Sequence, residues 1–377
     1  MKIKILINAS NLHGGGAVAV ASSFINQLPL IANVSAGIAV LVSTEVNVNL
    51  ISKGTAIENF ASYKVFDVYG LDSMWSGIRR EFDKYDLIFT VFGPAYVAFS
   101  KKRHIFGFAQ PWIIYPDNPV YNRLGFSEKI KYRLKYFVQS LFFARADALI
   151  VELDHVKKGL QNYGYLKDIP THVVNSTVDS IFFSPEKWEP VSFPQRSNEI
   201  RLGVIARNYP HKNLESFICL KQVLFNQYDI RAEFYVTFSE EEWVACSEDY
   251  QREINNIGLL RLDQCPSFYD QVDGIVFPSL LECFSATPLE TMIMKKPLFA
   301  SDLSFIRDCS REYGNYFDPL DINDMAKVIA NYYLNPTKCI DLLNDASRYV
   351  TKFSSANGRA KEYLAIIGAS LENTEEV

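Results

Sequence analysis

Short apolar segments alternate with helical ones along the whole chain, and this alternation leaves few folds open. An opening apolar run at 3–8 leads into a glycine turn and then a helical pattern over 17–28. Alternating strand and helix segments predict a parallel sheet covered by helices. In the first half, further strands are predicted at 37–43, 64–69, 86–91, 105–109, 147–151 and 171–174.

The same alternation restarts in the second half, after a stretch that contains three prolines. Because proline removes a backbone donor and restricts the residue before it, we predict an interdomain linker over 186–198. The interrupting residues are Pro185, Pro190 and Pro194. Beyond them, strands are predicted at 200–206, 231–238, 255–259, 274–278 and 297–300.

The length of 377 residues is typical of two domains. We predict an α/β fold with domains at 1–185 and 199–355, each a Rossmann-like, doubly wound parallel sheet, facing each other across a cleft. Ligands of open α/β sheets bind at the carboxyl ends of their strands. The remaining 356–377 are predicted as a C-terminal helix and tail, a candidate to pack back on the N-terminal domain.

The charge of the chain is unevenly distributed. The formal net charge of −5 and the pI near 5.7 argue against a nucleic-acid binder. Residues 1–185 carry 19 Lys and Arg against 14 Asp and Glu, a net of +5, and the rest carry 19 against 29, a net of −10. A basic first half therefore precedes an acidic second half.

Nothing in the sequence predicts export or a membrane span. The N-terminal apolar run is too short for a secretory signal, and no uncharged apolar run reaches 18 residues. The six cysteines have no metal-site spacing and are predicted to be reduced thiols. We therefore expect a cytoplasmic protein, with a peripheral position at the inner face of the cell membrane as the alternative.

The glycine turn matches a degenerate phosphate-binding spacing. Gly14, Gly16 and Ala19 follow a predicted strand and open a helix, where backbone N–H groups can approach a phosphate. The alternative is a tight turn with no ligand. A dinucleotide oxidoreductase is disfavoured, because the first acidic residue, Glu45, comes 29 positions after Gly16, and a ribose-binding acid is expected after about 20.

A basic turn follows the first strand of the second half. Arg207 and Lys212 lie in the loop after this strand, and Asn213 is predicted to cap the next helix. Two cations beside a helix N-terminus can hold a diphosphate through charge-assisted hydrogen bonds. The alternative is a pair of solvated surface cations.

Two glutamates, Glu282 and Glu290, lie at the end of a later strand and the start of its helix. One interpretation is structural, because 287–290 reads as a capping box with Pro288 at the first helical position. The other is functional: a carboxylate here accepts hydrogen bonds from a ribose diol, and the earlier one reaches a sugar hydroxyl.

These residues resemble a known family. The second half is similar to GT-B fold glycosyltransferases of family 4, retaining enzymes that use nucleotide-sugar donors. The resemblance covers most of 200–335 and is looser in the first half, where it includes the glycine loop and 174–179. The matching segments are 203–207 with Lys212 and Asn213, 266–273, 276–279, Glu282 with Glu290, 297–302 and 316–319.

The resemblance implies a role for each site residue. Arg207 and Lys212 would bind the donor diphosphate, Glu290 the ribose and Glu282 the donor sugar. Further donor contacts would come from Gly15, Gly16 and the backbone at Phe284, Ser285 and Ala286. The nucleotide, UDP or GDP, belongs to the substrate, so neither a cofactor nor a metal ion is expected.

Two departures from the family pattern stand out. The family's E-G-F-G reads Glu282-Cys283-Phe284-Ser285 here, without either glycine. Gln110 stands where many members have a histidine at the donor sugar, and glutamine cannot be a general base. His13 and His104 are nearby alternatives, although a structural histidine explains either. A retaining displacement in which the leaving phosphate takes the acceptor proton needs no such base.

A basic amphipathic helix is predicted over 128–143. Its apolar stripe is Ile130, Leu134, Phe137, Val138, Leu141 and Phe142, with four basic residues beside it. Such a helix can lie on an anionic membrane surface. The alternative is an ordinary helix that packs its stripe on the first sheet.

Together these features predict a retaining hexosyltransferase with a lipid-linked or oligosaccharide acceptor, in the assembly of O-antigen, capsule or exopolysaccharide. Two alternatives remain open: a non-catalytic partner subunit, and a nucleotide-sugar epimerase or hydrolase.

Overall fold

The computed structural model describes residues 4–31, 34–74, 77–97, 102–335, 339–353 and 355–372. These residues form two parallel sheets. The strands of the first are β1 Ile5–Ala9, β2 Ile38–Val42, β3 Ser62–Val65, β4 Leu87–Thr90, β5 Arg103–Gly107, β6 Ala148–Val151 and β7 Thr171–Val173. Those of the second are β8 Ile200–Gly203, β9 Ala232–Val236, β10 Asn255–Asn256, β11 Gly274–Phe277, β12 Leu298–Ser301 and β13 Asn315–Phe317.

Helices connect the strands in both halves. The first half contains α1 Gly15–Gln27, α2 Thr44–Ser52, α3 Ile78–Phe82, α4 Pro111–Ile114, α5 Phe126–Phe143 and α6 Asp154–Gln161. The second contains α7 Ser216–Tyr228, α8 Glu240–Val244, α9 Glu248–Glu253, α10 Cys265–Gln271, α11 Ala286–Ile293, α12 Ser304–Ser310, α13 Ile322–Leu334, α14 Cys339–Val350 and α15 Ala356–Glu372. No helix in the described ranges is both long enough and apolar enough to cross a bilayer.

Both sheets are doubly wound. The first has the order β3-β2-β1-β4-β5-β6-β7 and the second the order β10-β9-β8-β11-β12-β13. Every residue of β2, β4, β6, β11 and β12 is buried, which explains why these strands read as continuous apolar runs. At Gly107, the last residue of β5, a side chain would meet the carbonyl oxygen of Val91 at 1.7 Å, so only glycine fits there.

The described residues form two compact units, and their boundaries differ from the predicted ones. One unit takes the chain up to Pro116, Gly125–Thr177 and helix α15. The other takes Asp117–Leu124 and Val178–Phe353.

The segment predicted as a linker, 186–198, therefore belongs to the second unit. Just before it, the ring of Phe182 packs against Tyr269 at 5.9 Å, and the indole N–H of Trp188 donates to the Ile181 carbonyl at 2.7 Å. Glu189 N–H bonds to the Asp263 carbonyl at 2.9 Å. The prolines interrupt regular structure, but the hydrogen bonds of Trp188 and Glu189 hold the segment within the second unit.

Candidate functional site

Two loops of the second unit meet at one edge of its sheet. Strands β8 and β11 are parallel neighbours, so the loops after them, 204–215 and 278–285, emerge at the same edge. They are joined by hydrogen bonds from Leu280 N–H and Ser279 Oγ to the carbonyl of His211, at 2.7 and 3.2 Å. These loops and helix α11 carry Arg207, Lys212, Glu282 and Glu290.

Lys212 and Glu282 form an ion pair at this edge. The Lys212 Nζ lies 2.6 Å from Glu282 Oε1, and the two side chains are only 15% and 11% exposed. Ser279 Oγ donates to the same carboxylate at 2.8 Å, and Nζ lies 5.1 Å from the centre of the Phe277 ring. The pair is therefore held in one geometry by its surroundings.

The turn that carries Lys212 is fixed by Asn213, but not as a helix cap. Asn213 adopts a left-handed conformation with φ 58, and α7 begins only at Ser216. Its amide donates to the Pro319 carbonyl at 2.8 Å and accepts from Arg123 Nη2 at 2.5 Å. The capping prediction is wrong because asparagine tolerates the left-handed turn, which directs its side chain into these bonds instead.

Arg207 pairs with Glu242, a residue that no motif of the predicted site includes. Its Nε donates to both carboxylate oxygens of Glu242, at 2.8 and 2.9 Å. Glu242 lies 35 positions away on α8, so no local spacing connects the two. The sequence does contain one local signal for Glu242: Ser239 and Glu242 form a capping box beside the carboxyl end of β9.

His211 was also missed and lies beside the ion pair. Its Nε2 is 3.9 Å from Glu282 Oε1, and its ring stacks on Tyr209. Burial lowers the pKa of His211, and the Lys212 charge lowers it further, against the opposing effect of Glu282. A neutral imidazole therefore faces the site at neutral pH.

Glu290 makes no capping box. Helix α11 begins at Ala286, so Pro288 is its third residue, and the cap residue Ser285 makes no side-chain cap bond. Thr287 Oγ1 bonds to the Ile205 carbonyl at 3.5 Å, and Glu290 Oε2 accepts from the Tyr269 hydroxyl at 2.7 Å. The capping box predicted from sequence over 287–290 is therefore wrong.

The environment of Glu290 changes its acidity. Burial raises the pKa of the Glu290 carboxyl to about 7, with a further upward effect from the charge of Asp179, while the Tyr269 hydroxyl acts in the opposite direction. Such a shift is typical of functional carboxylates in clefts. The side chain remains partly exposed, so a ligand can reach it.

The residues at the start of α11 are accessible at the same edge. Phe284, Ser285 and Ala286 are partly exposed, whereas Cys283 is buried. Because Ala286 is the first residue of the helix, its N–H lacks an intrahelical partner and carries the positive end of the helix dipole.

The other predicted site residues lie in the first unit. Gly15 and Gly16 are exposed in the first turn of α1, and Gly15 has φ 64, which favours glycine. Gln110 is partly exposed and precedes Pro111 at the start of α4. His104 lies buried on β5, and burial lowers its pKa to about 4, so it is a neutral core histidine.

A second group in the first unit has the donor set of a metal site. His13 Nδ1 is 3.6 Å from both Glu45 Oε2 and Asp67 Oδ1, and one ligand atom of each lies within 4.8 Å of the others. His13 Nε2 donates to the Val68 carbonyl at 2.8 Å, which leaves Nδ1 as the ring atom that could ligate a metal. Both carboxylates are substantially exposed.

Comparison with solved structures identifies the fold. HepE of Anabaena, solved with UDP and glucose, superposes with a TM-score of 0.70 at 13% identity, covering 97% of this chain and 100% of that one. The sucrose-phosphate synthase of Thermosynechococcus elongatus gives 0.71 at 13% identity, covering 99% and 100%. The chain has the GT-B fold.

A further solved structure and a curated sequence relative also match this chain. The E. coli trehalose-6-phosphate protein bound with UDP-2-fluoro glucose superposes on this chain with a TM-score of 0.64 at 11% identity, covering 96% of this chain and 98% of that one. The O-antigen chain mannosyltransferase RfbU of Salmonella typhimurium is 20% identical over 191 residues, 49% of this chain and 52% of that one. The chain thus spans about half the length of this curated relative. No protein-family model matches, and membership of family 4 stays a prediction.

Proposed function

We propose that this GT-B chain is a retaining hexosyltransferase that takes its sugar from a nucleoside-diphosphate donor, UDP- or GDP-linked. The observation that carries the proposal is the convergence of Arg207, Lys212, Glu282 and Glu290 at one edge of the second sheet. The complex of HepE with UDP and glucose, and that of the E. coli trehalose-6-phosphate protein with UDP-2-fluoro glucose, support it. The match to an O-antigen mannosyltransferase supports a lipid-linked or oligosaccharide acceptor in polysaccharide assembly.

The donor would bind along this edge. Arg207 and Lys212 would hold the diphosphate and stabilise the negative charge that it gains as the glycosidic bond breaks. Glu290 would accept hydrogen bonds from the ribose diol, and Glu282, held by Lys212 and Ser279, would orient the donor sugar.

The reaction needs no general base. The acceptor hydroxyl oxygen forms the new bond to the anomeric carbon as the bond to the phosphate oxygen breaks on the same face. The acceptor proton passes to that phosphate oxygen. Gln110 would then orient a hydroxyl group and transfer no proton.

A ligand screen tests the proposal. Because a ligand that binds only the folded state stabilises it, UDP or GDP at 100 times its Kd would add about 2.7 kcal/mol and raise the melting temperature by a few degrees. Lys212→Ala should weaken binding about tenfold or more through the loss of a charge-assisted hydrogen bond. Lys221→Ala is the matched control, because Lys221 also forms an ion pair, with Glu253, in the same unit.

Turnover separates the proposal from its alternatives. A transferase releases free nucleoside diphosphate when both donor and acceptor are present. Release without acceptor indicates a hydrolase or epimerase, and donor binding without turnover against any acceptor indicates a non-catalytic subunit. If neither UDP nor GDP shifts the melting temperature, the proposed function is wrong.

Helix α5 supports a peripheral position at an anionic membrane. It buries Tyr136, Gln139, Ser140 and Phe143, whereas most of the stripe predicted from sequence is exposed and only its Val138 and Phe142 are partly buried. The exposed apolar side chains are Phe126 at 80%, Leu134 at 60%, Ile130 at 53%, Phe137 at 49% and Leu141 at 43%. Their spacing places them on one face of the helix.

Positive charge borders this apolar face. Lys131 and Arg133 are exposed, and helical geometry places them on its two sides. An apolar stripe bordered by cations fits lipid tails and anionic headgroups together. We propose that α5 docks the chain on the inner face of the cell membrane, near a lipid-linked acceptor. Flotation with phosphatidylglycerol vesicles, and its absence with phosphatidylcholine vesicles, is the expected result.

A further inference from the structure

Glu242 holds the side chain of Arg207 by one nitrogen. Arg207 Nε lies 2.8 and 2.9 Å from the two oxygens of Glu242. Among the described residues, every side-chain hydrogen bond of Arg207 is donated by Nε, which leaves both terminal nitrogens for a ligand. The arginine side chain is 46% exposed and that of Glu242 only 17%.

The carboxylate itself is fixed by the backbone. Oε2 accepts from Ser239 N–H at 2.9 Å, and Oε1 accepts from Asn208 N–H at 3.1 Å. Ser239 Oγ in turn accepts from Glu242 N–H, which completes the capping box of α8. Burial would raise the pKa of Glu242, but these N–H groups and Arg207 lower it overall. Glu242 is therefore a rigid, ionised anchor.

We propose that Glu242 is a positioning residue for the donor diphosphate: it fixes Arg207 through Nε and presents both terminal nitrogens to two phosphate oxygens. This assignment rests on the proposed function of the same site. A guanidinium has five N–H donors in a planar fork, and its outer edge, formed by the two terminal nitrogens, can bind phosphate bidentately while Nε is engaged elsewhere. Since the free side chain has many rotamers, holding it in advance removes a cost of binding.

The opposite role would be competition, with Glu242 occupying Arg207 until the diphosphate displaces it. The geometry favours positioning. The N–H groups of Asn208 and Ser239 hold the Glu242 carboxylate at Nε, so it cannot move to cover the two terminal nitrogens of Arg207. The two roles predict opposite effects of removing the charge: weaker diphosphate binding for positioning, tighter binding for competition.

Glu242→Gln tests the assignment. Glutamine keeps an oxygen for the Ser239 N–H but loses the charge that holds Arg207. Binding of whichever diphosphate the wild type takes, UDP or GDP, should weaken about three- to tenfold by calorimetry. Binding of the matching nucleoside, which has no phosphate, should not change. Unchanged or tighter diphosphate binding overturns the assignment.

A control variant isolates the effect. Glu241→Gln removes the same charge from the neighbouring, exposed position. It should bind the diphosphate as the wild type does. If it weakens binding as much as Glu242→Gln, a general charge effect explains the result and the assignment is wrong.

A double variant gives the sharpest readout. In an Arg207→Ala background, Glu242→Gln should have no further effect on diphosphate binding, because the side chain that it positions is gone. A full effect in that background overturns the assignment. No binding of UDP or GDP by the wild type overturns both this assignment and the proposed function, whereas wild-type binding that Glu242→Gln leaves unchanged overturns this assignment alone.

Discussion

The carboxyl group of Glu290 should change its charge close to neutral pH. Its pKa rises to about 7 mainly through burial, with a contribution from the charge of Asp179. The hydroxyl groups of a ribose donate hydrogen bonds, and an ionised carboxylate accepts them better than a protonated one. Donor binding should therefore depend on the ionisation of this single group.

We expect the affinity for the nucleotide-sugar conjugate to rise about tenfold between pH 6 and pH 8, as the ionised fraction of Glu290 increases. The conjugate is the right probe, because it lacks the terminal phosphate that itself titrates near pH 6. Calorimetry across this range measures the effect. Glu290→Gln should bind more weakly and show no such rise.

Asp179→Asn provides a matched control for this pH dependence. Asparagine can still accept the Ile181 N–H that Asp179 now accepts at 3.0 Å, but it removes the charge that raises the pKa of Glu290. The midpoint of the affinity profile should move to lower pH. An unmoved midpoint would contradict the contribution of Asp179 to this pKa.

The same carboxyl affects folding stability with a defined sign. Its folded pKa lies above the ordinary glutamate value of 4.5, so the folded state binds the proton more tightly than the unfolded state. This contribution to stability is complete at low pH and is lost as the pH rises from about 4.5 to about 7.

At the scale of single elements, helix α5 has two apolar faces with different surroundings. One face packs its aromatic rings inside the first unit: Trp112 stacks on Tyr136 at 5.5 Å, and Phe143 contacts Phe108 at 4.7 Å. The other presents the exposed stripe from Phe126 to Leu141. The helical period alone could not show which face would be buried.

Substitutions on the exposed face should abolish vesicle binding without unfolding the protein. Ile130→Ser with Leu134→Ser removes two large apolar side chains, and we expect at least about tenfold weaker flotation with anionic vesicles. Lys131→Glu with Arg133→Glu should weaken it similarly, because each basic residue near the surface contributes about 1 kcal/mol.

The control for α5 is Val48→Ser, since Val48 is 58% exposed on another helix of the same unit. It should float as the wild type does. Equal flotation of all these variants would contradict docking through α5.

At the scale of the whole molecule, the end of the chain returns to the first unit. Helix α15 packs on α1, where the ring of Tyr363 lies 5.0 Å from that of Phe24. Arg359 is 2% exposed and donates to Ser176 Oγ at 3.0 Å. Its charge lowers the pKa of the buried Glu152, whose burial nonetheless raises that pKa to about 7.

Removing Arg359 should destabilise the protein, and more strongly at high pH. Arg359→Met leaves a buried carboxyl without its cation, a change that costs about 3–5 kcal/mol in other proteins. The pKa of Glu152 should rise further, so the loss of stability should be larger at pH 8 than at pH 5.5. Melting temperatures at both pH values measure it. Adding Glu152→Gln should restore part of the loss at pH 8, and no restoration would contradict this coupling.

Much of the architecture follows from the sequence alone. Strands and helices are set by the spacing of apolar residues along the chain. This spacing predicts the two sheets, most element positions, the loops with Arg207, Lys212 and Glu282 and the helix with Glu290. Strand β13 is not among the predicted strands.

The contacts between residues distant in sequence are visible only in the tertiary structure. The pairing of Arg207 with Glu242 and of Glu290 with Tyr269, like the place of 186–198 in the second unit, depends on residues far apart in sequence. Those contacts are set by the order of the strands within a sheet and by burial, and neither is encoded in the spacing of near neighbours.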